Sequence, residues 1–256
     1  MLLENFDAHG SEIIQPTQLF QPLNDFPKII IATFFGDLFR KFVSDNKLEK
    51  IINLGSINGN MNVYRYHLDG IDLGIIMAPI GAPSCVARLE ELNALGAKHF
   101  ITFGTCGVLD STIDRGQIVI PTTAIRDEGT SYHYQPASDE IAIDSASLAI
   151  LRSTFIKNNI SFEEGKTWST DAFYRETTQK FVERKNAGCK FVDMETSAIF
   201  AWSKFRKVSA YPFFTTADNL DSSEWERRSD FEINIPTSLK VAFCIAKEIV
   251  EGERIE

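Results

Sequence analysis

Cysteine is scarce and scattered in this sequence. The four cysteines, Cys85, Cys106, Cys189 and Cys244, lie far apart and show no paired spacing. Disulfide-rich secreted domains and structural zinc sites both place cysteines at short, repeated intervals. The pattern argues against a disulfide framework and against a metal site, and it fits a reducing compartment such as the cytoplasm.

Long apolar runs and basic clusters are missing as well. No stretch reaches the about 18 apolar residues that a membrane helix needs, and residues 1–10 contain no apolar run of signal-peptide length. The formal net charge is -9, and no run of Lys and Arg stands out against it. We therefore expect a soluble, cytoplasmic protein that binds neither a membrane nor a nucleic-acid backbone, whereas a single nucleoside would need only a local pocket.

The sequence also has no internal repeat, low-complexity tract or linker that would divide it. Of the 256 residues, 44% are hydrophobic and 24% are charged, which is ordinary for a globular protein. α/β folds of this length often form a single core. We expect one domain over residues 27–256, preceded by an N-terminal extension at residues 1–26.

Short apolar blocks alternate with stretches of helical periodicity. Predicted strands cover residues 28–35, 62–67, 71–78, 99–103, 117–120, 162–164, 190–192 and 208–216. Predicted helices cover residues 37–50, 85–95, 193–205 and 235–251. In addition, Asp69-Gly70 suits a hairpin turn, Ser84 and Gly96 would cap a helix, and Pro121 would stop a strand. The alternation predicts an α/β fold, with a central mixed sheet flanked by helices.

Ligands of such folds collect where strands end. Gly104-Thr105-Cys106-Gly107 follows one predicted strand, and its glycines with the Thr105 hydroxyl would suit an anion or a sugar, although short glycine-containing turns are common. Glu195 lies between a strand and a helix of small residues. Its carboxylate would accept hydrogen bonds from two vicinal sugar hydroxyls, or alternatively would cap the helix N-terminus.

Three further segments contain candidate residues, each with a structural alternative. Asp218 follows a predicted strand and would be a general acid toward a leaving base if burial raises its pKa, or else part of an Asx turn. Residues 170–176 combine Phe173 and Tyr174 with charged groups. These aromatic rings would stack on a flat heterocycle, or alternatively Phe173 would belong to the core beside a solvated ion pair. Residues 126–134 are similarly polar and aromatic, but a lone His133 is more often structural.

Taken in order, these segments resemble the family that contains uridine phosphorylase, hexameric-type purine nucleoside phosphorylase and methylthioadenosine/adenosylhomocysteine nucleosidase. The resemblance extends from about residue 27 to the C-terminus. Residues 192–195, Val-Asp-Met-Glu, resemble the ribose-binding Glu-Met-Glu segment of the family, and residues 104–107 resemble its phosphate and sugar turn. Residues 81–84 and 126–133 strengthen the likeness to uridine phosphorylase.

The resemblance implies a phosphorylase-like fold and a role for each matching residue. Met194 and Glu195 would hold the ribose, and Phe173 would stack near the sugar and the base. Thr105 would contact phosphate or ribose. Asp218 falls where the purine-cleaving members keep their acid, and Arg227 or Arg228 would assist it.

The phosphate site and the assembly are also implied by the resemblance. Arg65 resembles an arginine that reaches into the phosphate site of a neighbouring subunit, so we expect a homodimer or a homohexamer. Gly36 and Arg40 belong to a segment that resembles the phosphate loop Gly-Asp-Pro-x-Arg of the family, without its proline.

Two departures from the family pattern bear on the reaction. Thr102 stands where phosphorylases usually have an arginine, and a threonine cannot supply charge-assisted bidentate contacts to phosphate. Thr177 and Gln179 occupy the approximate positions where uridine phosphorylases read the uracil edge with Gln and Arg. Arg175 or Glu176 would have to substitute, so the base preference stays open between purine and pyrimidine.

The hypotheses that follow are ordered. The first is a nucleoside phosphorylase that transfers ribose to phosphate, with no metal or organic cofactor and with phosphate as co-substrate. The second is a nucleosidase that uses water instead, and the third is a nucleoside-binding protein without turnover. In all three the partner is a small molecule.

Overall fold

The computed structural model describes residues 2–56, 59–221 and 235–253. Its strands are β1 (Ile29–Thr33), β2 (Glu49–Ser56), β3 (Gly59–Leu68), β4 (Ile71–Met77), β5 (His99–Val108), β6 (Ile118–Asp127), β7 (Glu140–Ala142), β8 (Phe162–Thr170), β9 (Cys189–Asp193) and β10 (Ser209–Asn219). Its α-helices are α1 (Pro16–Leu19), α2 (Gly36–Asp45), α3 (Ala82–Leu95), α4 (Ser145–Lys157), α5 (Thr178–Asn186), α6 (Thr196–Arg206) and α7 (Ile235–Glu253). None of these helices is both long and apolar enough to cross a bilayer.

The strands form one mixed sheet in the order β10-β6-β8-β9-β5-β1-β4-β3-β2, with β7 paired to β6. Because β10 pairs with β5 as well as with β6, the strands β5, β9, β8, β6 and β10 close into a ring. β1 is parallel to both of its neighbours, whereas β2, β3 and β4 form an antiparallel meander. The predicted α/β fold with a central mixed sheet is confirmed.

β1 shows why the sheet is covered on both sides. All five of its residues are buried, as its continuous apolar block predicts. Since successive side chains of a strand point to opposite faces, Ile31 packs in one cluster with residues of α4 and α7. Ile30 packs in a second cluster with residues of α3 and α6. The helices therefore flank the sheet on both faces.

Two predicted turns or caps are confirmed, and one is wrong. Asp69 and Gly70 join β3 to β4 with positive φ angles of 49° and 83°. Gly96 closes α3 with φ 126°. Ser84, however, lies inside α3, which begins at Ala82 after Gly81 as its N-cap.

Two element boundaries also differ from prediction. The predicted helix 37–50 is the shorter α2, because the chain from Glu49 onward pairs with β3 as β2. Pro121 does not end β6. The register between β6 and β8 shifts between Pro121 and Thr123, and such an irregularity accommodates a residue that lacks an N–H donor.

Candidate active site

Two segments that the sequence predicts as turns belong to long strands instead. Residues 104–107 are part of β5, and residues 215–219 are part of β10. β5 pairs with β9 on one side and with β10 on the other. Thr105 therefore lies between the end of β9, which leads to Met194 and Glu195, and the end of β10.

An irregularity in β10 sets the position of Asp218. Thr216 pairs with Cys106 and Asn219 with Val108, so Ala217 and Asp218 both oppose the single residue between those partners. Extra residues of this kind re-aim side chains and are common beside active sites. β10 thus continues through Asp218 to Asn219, and at its end Oδ1 of Asn219 accepts a hydrogen bond of 2.9 Å from the backbone N–H of Asp221, as in an Asx turn.

These strand ends open into a cavity of about 970 Å³. Five residues predicted from the sequence line it, namely Thr105, Phe173, Met194, Glu195 and Asp218. Its apolar lining includes Phe34, Phe35, Ile80, Phe181, Val192 and Leu220. A pocket with apolar walls and a few convergent polar groups is typical of small-molecule sites.

Glu195 is a buried carboxyl group of this lining, with only 6% of the residue exposed. Its Oε1 accepts a hydrogen bond of 2.6 Å from the backbone N–H of Gly81. Glu195 occupies the N-cap position of α6, but its side chain makes no capping hydrogen bond. Burial and the neighbouring charge of Asp193 raise the pKa of Glu195 to about 8. The capping alternative therefore does not describe this side chain.

Asp193 fixes the backbone that carries Met194 and Glu195. Its Oδ1 accepts hydrogen bonds of 2.8 Å from the backbone N–H groups of Glu195 and Thr196, and one of 2.9 Å from the Ser169 hydroxyl. Its Oδ2 accepts from the Thr167 hydroxyl at 2.7 Å. The sequence placed Asp193 within the ribose-binding segment but gave no signal for these four bonds, because two of the donors come from β8.

The lining of the cavity also includes two neighbouring aromatic side chains that are exposed. Phe173 and Tyr174 are 48% and 88% exposed, with ring centroids 4.0 Å apart. Asp171, just before them, accepts a hydrogen bond of 3.0 Å from the backbone N–H of Gly129. Exposed rings at the mouth of a cavity suit stacking on a flat ligand.

The charged groups of the lining are carboxyls. They are Glu176, Asp193, Glu195, Asp218 and Asp221. Asp221 pairs with Lys185 at 2.5 Å, which holds its pKa below the usual range. Burial and the charge of Asp218 raise the pKa of Glu176 to about 7. Within the described residues, no Lys, Arg or His side chain lines the cavity.

Of the residues predicted to bind phosphate, Thr105 lines the cavity, whereas Gly36, Arg40 and Arg65 do not. Gly36 is the first residue of α2 and directly follows the lining residue Phe35. A Cβ atom added to Gly36 would lie 3.3 Å from Nη1 of Arg40. Arg40 forms an exposed ion pair of 2.5 Å with Asp37. Arg65 lies on β3, outside the cavity of its own chain.

Arg65 instead has carboxylate partners within its own chain. Its Nη1 lies 3.3 Å from Oδ2 of Asp25, and its Nε lies 3.3 Å from Oδ1 of Asp72. Its contribution to a neighbouring subunit stays a prediction.

Several other residues that the sequence analysis named lie outside the cavity. The Arg126 guanidinium donates to Ser131 at 2.8 Å and lies 4.1 Å from the centroid of Tyr132, and His133 is exposed outside the cavity. Thr177 caps α5 through the N–H of Lys180.

Other observations concern residues that do not contribute to the described site. Gln179 donates to Glu183 at 3.0 Å instead of lining the cavity. Thr102 is 1% exposed within β5, and no described residue is a hydrogen-bond partner of its hydroxyl. Arg227 and Arg228 lie outside the described residues. In the described ranges no group of three or more His, Cys, Asp or Glu side chains is arranged to hold a metal ion.

The chain is similar in sequence to several nucleoside phosphorylases. The chain is 28% identical over 200 residues to guanosine phosphorylase of Halorubrum lacusprofundi, an alignment that covers 78% of each chain. It is 25% identical over 232 residues to a DeoD-type purine nucleoside phosphorylase of Shewanella oneidensis, covering 86% of this chain and 95% of that one. With uridine phosphorylase of Thermococcus kodakarensis it shares 29% identity over 157 residues, which is 56% of this chain and 55% of the relative.

Among solved structures, AMP nucleosidase from Bacteroides thetaiotaomicron shares the fold, with a TM-score of 0.72 at 19% identity over 91% of this chain and 92% of that one. The family model of the phosphorylase superfamily matches residues 28–251, which include every element from β1 onward that lines the cavity. The chain therefore belongs to the phosphorylase superfamily, the family of nucleoside phosphorylases and nucleosidases that its motifs resemble.

Proposed function

We propose that the protein cleaves the N-glycosidic bond of a purine nucleoside and transfers the ribose to phosphate. The observation that carries this proposal is the buried Glu195 carboxyl, which lines the cavity beside Met194 and is fixed by the N–H of Gly81. A carboxylate is an acceptor for the two adjacent donors that the ribose 2′- and 3′-hydroxyls offer. Their binding would hold the sugar as positive charge develops at its anomeric carbon.

The placement of Asp218 supports a purine as the leaving base. Since β5 separates β9 from β10, a sugar held at Glu195 would direct its base toward Asp218 and the aromatic pair of Phe173 and Tyr174. A purine departs more readily when a ring nitrogen is protonated, and a carboxyl group can supply that proton. The catalysis rests on positioning and electrostatics and calls for no metal or organic cofactor.

Phosphate is favoured as the nucleophile by the relatives' names and by the rim of the cavity. The helix α2 begins at Gly36 beside the lining residue Phe35, and a helix N-terminus with an adjacent Arg40 suits an anion. Thr105 offers a hydroxyl from β5. The Arg65 of a neighbouring subunit would complete the site, so we also propose a cytoplasmic homo-oligomer of at least two chains.

Water is the second candidate nucleophile, and a specific observation favours it. No described basic side chain lines the cavity, and Thr102 replaces the arginine of phosphorylases with a buried hydroxyl. A phosphate dianion in a cavity lined by carboxyls would meet unfavourable charge unless cations were supplied from the rim.

The deciding experiment measures base release from adenosine, guanosine, inosine and uridine with and without inorganic phosphate. Release that needs phosphate and yields ribose 1-phosphate supports the first proposal, and equal release without phosphate supports hydrolysis. Binding of nucleosides without any release would refute both and leave a binding protein. The Glu195→Gln variant is the matched control for release by a contaminating enzyme.

A further inference from the structure

A buried carboxyl group outside the cavity, that of Glu128, joins two distant segments of the chain. Glu128 directly follows β6 and is 5% exposed. Its Oε2 accepts a hydrogen bond of 2.9 Å from the backbone N–H of Ser131, and its Oε1 accepts one of 2.9 Å from the hydroxyl of Ser197 in α6. Burying a carboxyl group costs free energy unless its oxygens are hydrogen-bonded, and here each oxygen has a donor. The bond to Ser197 therefore ties α6 to the segment that follows β6.

From Ser197 the hydrogen bonds continue to Glu195. The backbone N–H of Ser197 donates to Oγ of Ser169 at 3.0 Å, and the Ser169 hydroxyl donates to Oδ1 of Asp193 at 2.9 Å. The same Oδ1 accepts the backbone N–H of Glu195 at 2.8 Å. All of these residues are buried. Glu128 is thus connected to the backbone of Glu195 through a chain of buried polar groups, although it does not line the cavity itself.

These bonds also explain why the Glu195 side chain is not used as a helix cap. The first N–H groups of an α-helix have no acceptor within the helix. In α6 the N–H groups of Thr196 and Ser197 find their acceptors in the side chains of Asp193 and Ser169. Glu195, at the N-cap position, makes no capping hydrogen bond. Its carboxyl is therefore left for a ligand in the cavity.

The residue after Glu128 is bonded to the segment that carries the aromatic pair. The backbone N–H of Gly129 donates to Oδ2 of Asp171 at 3.0 Å, two residues before Phe173. We propose that Glu128 is a positioning residue, which sets the carboxyl of Glu195 relative to the aromatic rings and so aligns the ribose with the departing base. This inference rests on the proposed function, and it assigns to Glu128 a role that the sequence did not indicate.

Substitutions at either end of the bond between Glu128 and Ser197 test this proposal. Glu128→Ala and Ser197→Ala should each lower kcat/KM for a ribonucleoside by about 10-fold or more, because a small misplacement of a binding group is costly in the transition state. Glu128→Gln should retain most of the activity, since its amide oxygen can accept from Ser131 and its NH₂ group can donate to the Ser197 hydroxyl. Ser197→Ala removes only one hydroxyl and keeps the backbone bond to Ser169, so it decides the question even if Glu128→Ala does not fold.

The loss of activity should depend on the sugar of the substrate. A 2′-deoxynucleoside offers Glu195 one hydroxyl fewer, so Ser197→Ala should slow its cleavage less than that of the ribonucleoside. For the same reason Ser197→Ala should cost much less when Glu195→Gln is already present, since substitutions that act on one contact are not additive. Equal losses for the two sugars, or with and without Glu195→Gln, would refute the positioning role.

Glu248→Ala is the matched control. Glu248 also accepts a hydrogen bond from a serine hydroxyl, that of Ser153 at 2.7 Å, but this pair joins α7 to α4 and lies outside the cavity. The substitution should lower the Tm and leave kcat/KM unchanged. If Glu128→Ala and Ser197→Ala also lower the Tm and leave kcat/KM unchanged, Glu128 is only structural and the proposal is wrong.

Calorimetry separates this proposal from the proposed function. If the wild-type protein binds ribonucleosides and cleaves none, the proposed function is overturned, but the positioning of the sugar can still be measured. Weaker binding of a ribonucleoside by Ser197→Ala than by the wild type and Glu248→Ala would then support the role of Glu128, and equal affinities would overturn it. Absence of binding to the wild type would overturn both.

Discussion

The backbone N–H of Gly81 donates a 2.6 Å hydrogen bond to Oε1 of Glu195, a residue 114 positions later in the chain. Gly81 is the N-cap of α3 and has φ 93°, a left-handed conformation that glycine adopts without a steric penalty. The amide favours the ionised carboxylate, yet burial outweighs it, and the pKa of Glu195 is raised to about 8. This carboxyl therefore favours its protonated form at neutral pH, and a ligand that donates hydrogen bonds to it would favour the ionised form.

The first prediction concerns turnover and stability of Glu195→Gln. Turnover should fall about 100-fold, or roughly 3 kcal/mol of transition-state stabilisation, because the amide cannot respond to charge on the sugar. Between pH 4.5 and about 8 the unfolded wild-type chain releases this proton while the folded chain keeps it, so wild-type stability falls as pH rises. The glutamine side chain does not titrate, so the stability of the variant should not fall in this way. The difference between the Tm of the variant and the Tm of the wild type should therefore increase from pH 5 to pH 8.

Steady-state rates and thermal melts at the two pH values check this prediction. The exposed Glu163→Gln on β8 serves as control and should change neither quantity. Unchanged turnover in Glu195→Gln would return Glu195 to a structural role.

The second prediction concerns the pH dependence of ligand affinity. Ribose hydroxyls are donors, so a nucleoside should bind more tightly as pH rises to about 8 and should show little change above it. Asp193→Asn should lower the midpoint, since the Asp193 charge contributes to the raised pKa of Glu195. Calorimetry in buffers of different ionisation enthalpy measures both the affinity and the released proton. An affinity constant from pH 6 to pH 9 would contradict the prediction.

The third prediction concerns Asp218→Asn. Cleavage of natural purine nucleosides should fall by about 100-fold, within the range for loss of a general acid. Substrates whose leaving group needs no proton should be spared. Equal loss of purine and uridine cleavage, or a wild-type protein that cleaves only pyrimidine nucleosides, would show that Asp218 is not an acid for the base.

The fourth prediction concerns Arg65 and the assembly. If each site combines Glu195 of one chain with Arg65 of another, Arg65→Ala and Glu195→Gln should each be nearly inactive. An exchanged equimolar mixture of dimers should recover about a quarter of the wild-type sites, because half of the pairings are mixed and each has one intact site. No recovery after verified subunit exchange, or a fully active monomer in sedimentation, would refute the shared site.

The sequence by itself located much of the fold and of the site. Apolar periodicity predicted β1, the hairpin at Asp69 and Gly70, and α7, because these patterns depend on residues adjacent in the chain. The resemblance of short segments to a family identified Thr105, Phe173, Met194, Glu195 and Asp218, and the structure brings all five to one cavity.

Tertiary structure alone decided what those residues meet. β5 and β10 extend through predicted turns because each pairs with the other, and that pairing sets the position of Asp218. The bond from Gly81 to Glu195 results from folding that joins distant segments of the chain. A pKa depends on burial and on neighbouring charge in space, so no local pattern in the sequence contains it.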